Sequence, residues 1–149
     1  MGKLRKSVGV AAGSAALGVA ALFTLPATAQ AAPGVPCSAA ADACIDLSAN
    51  TSWLMHDGVV TYGGVPITSG RPGHETPPGT FTVTYKDIDH WSKAYNGPMP
   101  YSVFFTKSGI AFHEGSLGVP SHGCIHLSHD AAVTYYNTLH PGDVVEVVP

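Results

Sequence analysis

Across residues 52–148 the apolar side chains come in short runs that alternate at a period of two, cut apart by Gly, Pro and Asp-Gly steps. A strand turns successive side chains to opposite faces, whereas a helix repeats its apolar positions every three to four residues. Such a chain is confined to a mainly β fold. Ser52-Trp53-Leu54-Met55, then His56-Asp57-Gly58, then Val59-Val60-Thr61-Tyr62 read as a hairpin with Asp-Gly turn chemistry. Residues 65–68 contain Pro66, which lacks an N–H and therefore belongs at a sheet edge or a strand end. Residues 80–85 alternate Phe81, Val83 and Tyr85 with three threonines, which predicts one strand with a wet face.

Residues 86–100 show no period and hold His90, Trp91 and Tyr95, so they read as a long aromatic loop of the kind that carries function. Residues 101–106 and 109–113 are two further strands. In the second, Ile110 and Phe112 share one face, so His113 leaves the sheet on the other. One stretch is helical. Ser128 can cap it, Asp130 lies in its first turn, and Ala131, Ala132, Tyr135, Tyr136 and Leu139 form its packing face. Pro141-Gly142 stops it, and residues 144–148 close the fold as a strand. The expectation is a small β-sandwich or open barrel with one helix beside Cys124.

The beginning of the chain is of another kind. Lys3, Arg5 and Lys6 precede an apolar stretch, then Pro26 and the small-residue sites Ala27-Thr28-Ala29 and Ala29-Gln30-Ala31. Basic, apolar and cleavable in that order is a secretory signal. Residues 1–31 are thus expected to be removed, leaving 32–149 as one domain without a membrane span, outside the cell. The signal holds three of seven basic and none of ten acidic residues, so the remaining formal charge is 4 − 10 = −6. A domain this acidic lacks the cations that nucleic acid requires.

Export favours disulfides, and three cysteines allow one pair with one left over. Cys37 and Cys44 are close in sequence, so a bridge between them is the economical pairing. Cys124 remains free, inside Ser121-His122-Gly123-Cys124. A thiol is a few per cent anionic at neutral pH and needs a base or a cation beside it to act as a nucleophile. His113 is the candidate, arriving at a strand end with a short loop able to fold back to Cys124. Paired as ions, the two would keep the thiol reactive well below the usual thiol range. The backbone carbonyl of Glu114 or Gly115, or the Glu114 carboxylate, would fix the imidazole tautomer. The Gly123 and Cys124 amides, with the Tyr101 hydroxyl as a further donor, are candidates for stabilising an oxyanion. His122 is either a support for this turn or itself the base. A metal site built from His113, His122, His126, His129 and Cys124 matches no zinc spacing, and no metal or cofactor is expected. His56, His74, His90 and His140 are loop or turn histidines.

At these residues the chain resembles the L,D-transpeptidase catalytic domain, the YkuD-type fold of bacterial cell-wall enzymes. That family carries a His, a variable loop, Ser/Thr-His-Gly-Cys, an apolar residue and usually Asn or Arg. Here these are His113, Ser121, His122, Gly123, Cys124, Ile125 and His126. Thr76-Pro77-Pro78-Gly79-Thr80-Phe81 resembles the family's strand entry, and Met99-Pro100-Tyr101 with the strand to His113 its acceptor-side segment. The resemblance implies a monomeric, secreted cysteine acyltransferase of the bacterial cell wall, acting on peptidoglycan stem peptides. Cys124 would form a thioester with release of D-Ala and pass the acyl group to an amine, giving a 3→3 cross-link. Carbapenems would acylate it. The alternatives are an L,D-carboxypeptidase that uses water as acceptor and a non-catalytic wall-binding module. Two departures stand out: the stretch from His113 to Ser121 is short, and His126 offers neutral hydrogen bonds where a permanent cation is common. Glu114, His126, Tyr101 and Met99 are the candidate orienting or substrate contacts.

Overall fold

The computed structural model describes residues 32–149; the expected signal, residues 1–31, lies outside them. Two sheets pack face to face. One has five strands in the order β3 (Val59–Pro66), β2 (Thr51–His56), β1 (Ala43–Asp46), β9 (Val144–Val148), β4 (Gly79–Thr82). The other has four, β5 (Tyr85–Ser92), β6 (Gly97–Phe104), β7 (Ala111–Glu114) and β8 (Ile125–Leu127). Pairing is antiparallel except for β1 with β9 and β7 with β8. Of the two folds that the alternating runs allow, it is the sandwich, with two separate sheets. No helix among the described residues is long and apolar enough to cross a membrane.

The β2–β3 hairpin turns through Asp57 and Gly58, both at positive φ (48° and 78°), as a two-residue turn matched to strand twist requires. Pro66 ends β3, the outer strand of its sheet. The helix α1 (His129–Thr138) starts where Ser128 Oγ accepts the Ala131 N–H at 3.3 Å. Ala131, Ala132, Tyr135 and Leu139 are buried in the main core with Ile45, Leu54, Phe112, Ile125 and Val145. Inside it the Tyr135 hydroxyl donates to Ser52 Oγ at 2.8 Å, and Ser52 donates to the Cys44 carbonyl at 2.7 Å. Burial pushes the Tyr135 phenol further above its ordinary range. Cys37 and Cys44 are bridged, sealed in a small cluster with Val35, Ala41 and Met55.

Three segments differ from the sequence reading. Residues 80–85 are not one strand. The chain changes sheets at Val83 and Thr84, whose N–H groups donate to Asp143 O and Phe104 O at 2.8 Å each. Phe81 and Val83 still pack inward, but Tyr85 comes out on the second sheet and stacks on Phe104 at 4.3 Å. Residues 86–100 are not a loop: they form the β5–β6 hairpin, with Asp87 opposite Ser102 and Trp91 opposite Pro98. Its distal part buries only Ser92 and Met99 and leaves Ile88, Trp91 and Tyr95 exposed, so no one-sided apolar period marks it. Finally, β1 is a central strand within a stretch that reads as loose, because Ala-Cys-Ile-Asp is too short to show a period.

Candidate active site

The segment around Cys124 is held by side chains of its own turn. Ser121, buried at 5% exposure, donates from Oγ to the Cys124 carbonyl at 2.5 Å and accepts the Gly123 N–H at 2.9 Å. Gly123 adopts φ +120°, where a β-carbon would be strained and would lie 3.3 Å from Ile110. Thr76, fully interior, donates to the Gly123 carbonyl at 2.7 Å and accepts the Gly70 N–H at 3.1 Å. Backbone bonds from Arg71 N to Ser121 O (3.0 Å) and Ser121 N to Ser69 O (2.9 Å) anchor the same turn to the loop after β3. The Gly123 amide is therefore committed to Ser121. Of the two amides read as oxyanion donors, only that of Cys124 is left for the role.

His113 sits on β7, 6% exposed. Its Nδ1 lies 2.7 Å from the Glu114 carbonyl oxygen. A carbonyl can only accept, so Nδ1 carries the hydrogen and Nε2 keeps the lone pair that a general base needs. Among the three partners considered for this imidazole, the ring meets the backbone carbonyl of Glu114. The Glu114 carboxylate goes elsewhere, to His129 Nδ1 at 2.9 Å, and this pairing raises the His129 pKa.

His113 and Cys124 line one cavity of about 180 Å³ together with Ser121, His122, His126 and Met99. Cys124 is half-buried and packs against Met99, Phe104 and Ala111. Burial pushes its thiol up, partly offset by the Ala111 amide. Burial likewise lowers His113, to about 4, against the raising effect of the Glu114 carbonyl. Both groups thus prefer their neutral forms at neutral pH. These shifts run against the ion pair considered from the sequence and favour a neutral thiol and a neutral imidazole in one cavity. Such a pair can still exchange a proton when charge develops on a bound carbonyl.

The remaining candidates divide. His122 is exposed and lies flat on Tyr95 at 4.0 Å, with His74 edge-on at 5.0 Å. Partial desolvation, then the Arg71 and His74 charges, lower its pKa. Its ring serves the wall of the cavity and the tip of the β5–β6 hairpin. His126 braces the loop after β7: Nδ1 donates to Ser116 O at 2.9 Å, and its ring stands edge-on to His113 at 4.9 Å. Gly115 is needed beneath that ring, since a β-carbon there would lie 2.7 Å from it. Tyr101 is placed away from the cavity. Its ring meets His129 and Tyr136 of α1 at 5.7 and 5.9 Å, which removes it as an oxyanion donor. Among the described residues no three His, Cys, Asp or Glu side chains are grouped to hold a metal.

Sequence reasoning missed Thr76 as a brace, since a Thr before two prolines gives no sign of burial. It also missed the contact of Tyr95 with His122, which depends on a hairpin that the sequence hides.

A model of the L,D-transpeptidase catalytic domain, YkuD, matches residues 40–147. The probable L,D-transpeptidase 3 of Mycobacterium tuberculosis is 34% identical over an alignment of 104 residues that covers 57% of this chain and 38% of that protein. An L,D-transpeptidase structure from Stackebrandtia nassauensis superposes with a TM-score of 0.68 at 30% identity, covering 72% of this chain and 54% of the other. The LD transpeptidase LdtMt1 in complex with imipenem gives 0.64 at 29% identity, over 71% and 57% of the two chains. The chain thus spans between about a third and three-fifths of the length of these proteins.

Proposed function

Because the chain belongs to the L,D-transpeptidase catalytic domain family, we propose that it is a secreted cysteine acyltransferase acting on peptidoglycan stem peptides in the bacterial cell wall. The observation that carries this reading is the shared cavity of Cys124 and His113, with the imidazole tautomer fixed by the Glu114 carbonyl.

In the first half-reaction the Cys124 sulfur bonds to the carbonyl carbon preceding the terminal D-Ala, while its proton passes to His113 Nε2. The Cys124 amide receives the developing oxyanion. The C–N bond then breaks, the proton moves from Nε2 to the leaving amine, and D-Ala departs from a thioester. In the second half an amine of a neighbouring stem attacks that carbonyl and gives its proton to Nε2. The C–S bond breaks, the sulfur recovers the proton, and a 3→3 cross-link remains. No metal or cofactor enters these steps. The family match, the half-buried thiol and the sealed Cys37–Cys44 bridge, at home in an oxidising compartment, all support this reading.

Mass spectrometry after exposure to a carbapenem tests it. The expected result is one adduct, on Cys124, absent from Cys124→Ala. An unmodified Cys124 in folded protein sinks the proposal. Product analysis on purified stem peptides separates the acceptors: dimers indicate an amine, and D-Ala release without dimers indicates water.

A further inference from the structure

This acidic chain keeps its cations in one neighbourhood. Residues 32–149 carry ten Asp and Glu and only four Lys and Arg: Arg71, Lys86, Lys93 and Lys107. Lys86 is committed, since Nζ donates to the Tyr136 carbonyl at 2.7 Å and stands 4.6 Å over that ring. The other three are exposed, and every ion pair among the described residues is between a histidine and a carboxylate.

Lys93 and Lys107 line cavities that neighbour the one holding Cys124 and His113, and Arg71 stands near enough to His122, a wall of that cavity, for its charge to act on the ring. The cavity holding Cys124 and His113 adjoins, at the β5–β6 hairpin, a second of about 290 Å³, and the two have Ser92, Tyr95, Met99 and Cys124 as common walls. Lys93 lines that second cavity. Ser108 joins it to a third, an open groove of about 540 Å³ floored by Phe81 and Phe105 and lined by Lys107 and threonines. The Arg71 backbone is tied to Ser121, a wall residue of the first cavity. Despite the excess of carboxylates, no Asp or Glu lines any of the three. Asp87 is paired with His90 at 3.0 Å and Glu114 with His129 at 2.9 Å, while Glu75, in the loop of Arg71, accepts the Gly73 N–H at 2.8 Å.

A cleft lined by one sign of charge, on a surface of the other sign, focuses the field on an oppositely charged ligand. Cationic groups that serve a thiolate would stand beside the sulfur, but burial and the Ala111 amide alone shift Cys124. We propose that Lys93 and Lys107, with Arg71 near His122, form a carboxylate-reading rim that selects stem peptides with free carboxylates remote from the scissile bond. The inference rests on the acyltransferase reading for its substrate. It adds the acidic character of that substrate.

The test compares D-Ala release from two tetrapeptide donors that differ only in carrying free carboxylates or carboxamides away from the scissile bond. Wild type is expected to favour the carboxylate form by about tenfold in kcat/KM at low salt, and the preference should shrink as salt screens it. In the double variant Lys93→Gln, Lys107→Gln the preference falls to near one, while turnover of the carboxamide peptide is unchanged. A preference that survives the double substitution, or an absent preference in wild type, overturns the rim. If wild type releases D-Ala from neither peptide, the acyltransferase reading has failed instead. The rim is then read from alkylation of Cys124, as the rate ratio of anionic iodoacetate to neutral iodoacetamide. A ratio about threefold lower in the double variant supports it, and an unchanged ratio overturns it.

Discussion

The two sheets of this molecule are finished to different standards. Around the five-stranded sheet the polar interior is closed: Tyr135 donates to Ser52, Ser52 to Cys44, and the Cys37–Cys44 bridge is sealed beside them. The four-stranded sheet is left open. It keeps a neutral imidazole in its interior, a half-buried thiol, and a hairpin with Ile88, Trp91 and Tyr95 in solvent. A buried ionisable group that prefers its neutral form is a cost to stability once the pH drops, and no packing need explains its presence. The contrast teaches where to expect each kind of damage. Changes on the five-stranded side should cost stability and spare chemistry, and changes on the other side should do the reverse.

The sharpest break of that comparison is His113→Gln. As the proposed base, His113 should contribute about 10²–10⁴-fold to acyl transfer, so turnover should fall by that much while the variant stays folded at pH 7. Its stability should move too, but only with pH. The folded imidazole titrates at about 4, below its unfolded value of 6.5, so the unfolded chain binds the extra proton between these values. Wild type should therefore lose about 3 kcal/mol as pH falls from 6.5 to 4 and level off below. Denaturant titrations of both proteins across that window isolate the contribution, because other carboxylates act alike in each. An equal acid profile for the two proteins would show that the imidazole is solvated.

Next in size is the disulfide. The bridge closes a short loop, seven residues apart in sequence, and opening it with Cys37→Ala, Cys44→Ala should cost about 2.5 kcal/mol by loop-closure entropy. Carbapenem labelling of Cys124 at a temperature where both proteins are folded should proceed at an unchanged rate. If labelling slows in step with the stability loss, the two halves are coupled and the division fails.

How much of this is visible in the sequence follows the same division. The five-stranded side buries one face of each long strand, so alternation marks β2, β3 and β9, and Ser128 and Pro141 mark the ends of the helix. The short strand β1 escapes because both its faces are covered and four residues cannot show a period. On the open side, the Ser121 to Cys124 motif and His113 stand out by chemistry. The hairpin that roofs them does not, since its outer part buries only Ser92 and Met99 and hence shows no pattern. Tyr101 was misplaced for a related reason. Its positive φ of 57° departs from the regular strand geometry that parity arguments assume, and its ring lies on α1.

The smallest effects probe the divide most finely. Tyr135→Phe deletes the hydroxyl that donates to Ser52 but leaves the ring packing. One buried hydrogen bond should cost about 1 kcal/mol, a fall of about 4 °C in Tm, with kcat/KM unmoved. Tyr95→Leu is its counterpart on the open side. Tyr95 is 56% exposed and touches the catalytic turn through its stack on His122, so the Tm should stay within what about 0.5 kcal/mol allows. What changes is the roof of the cavity. A peptide gripped between that hairpin and the His122 turn should bind a fewfold less tightly, with KM raised and kcat nearly kept. A fall in Tm as large as that of Tyr135→Phe would mean that the hairpin tip carries structural weight, and that the open half is less open than its exposed aromatic residues imply.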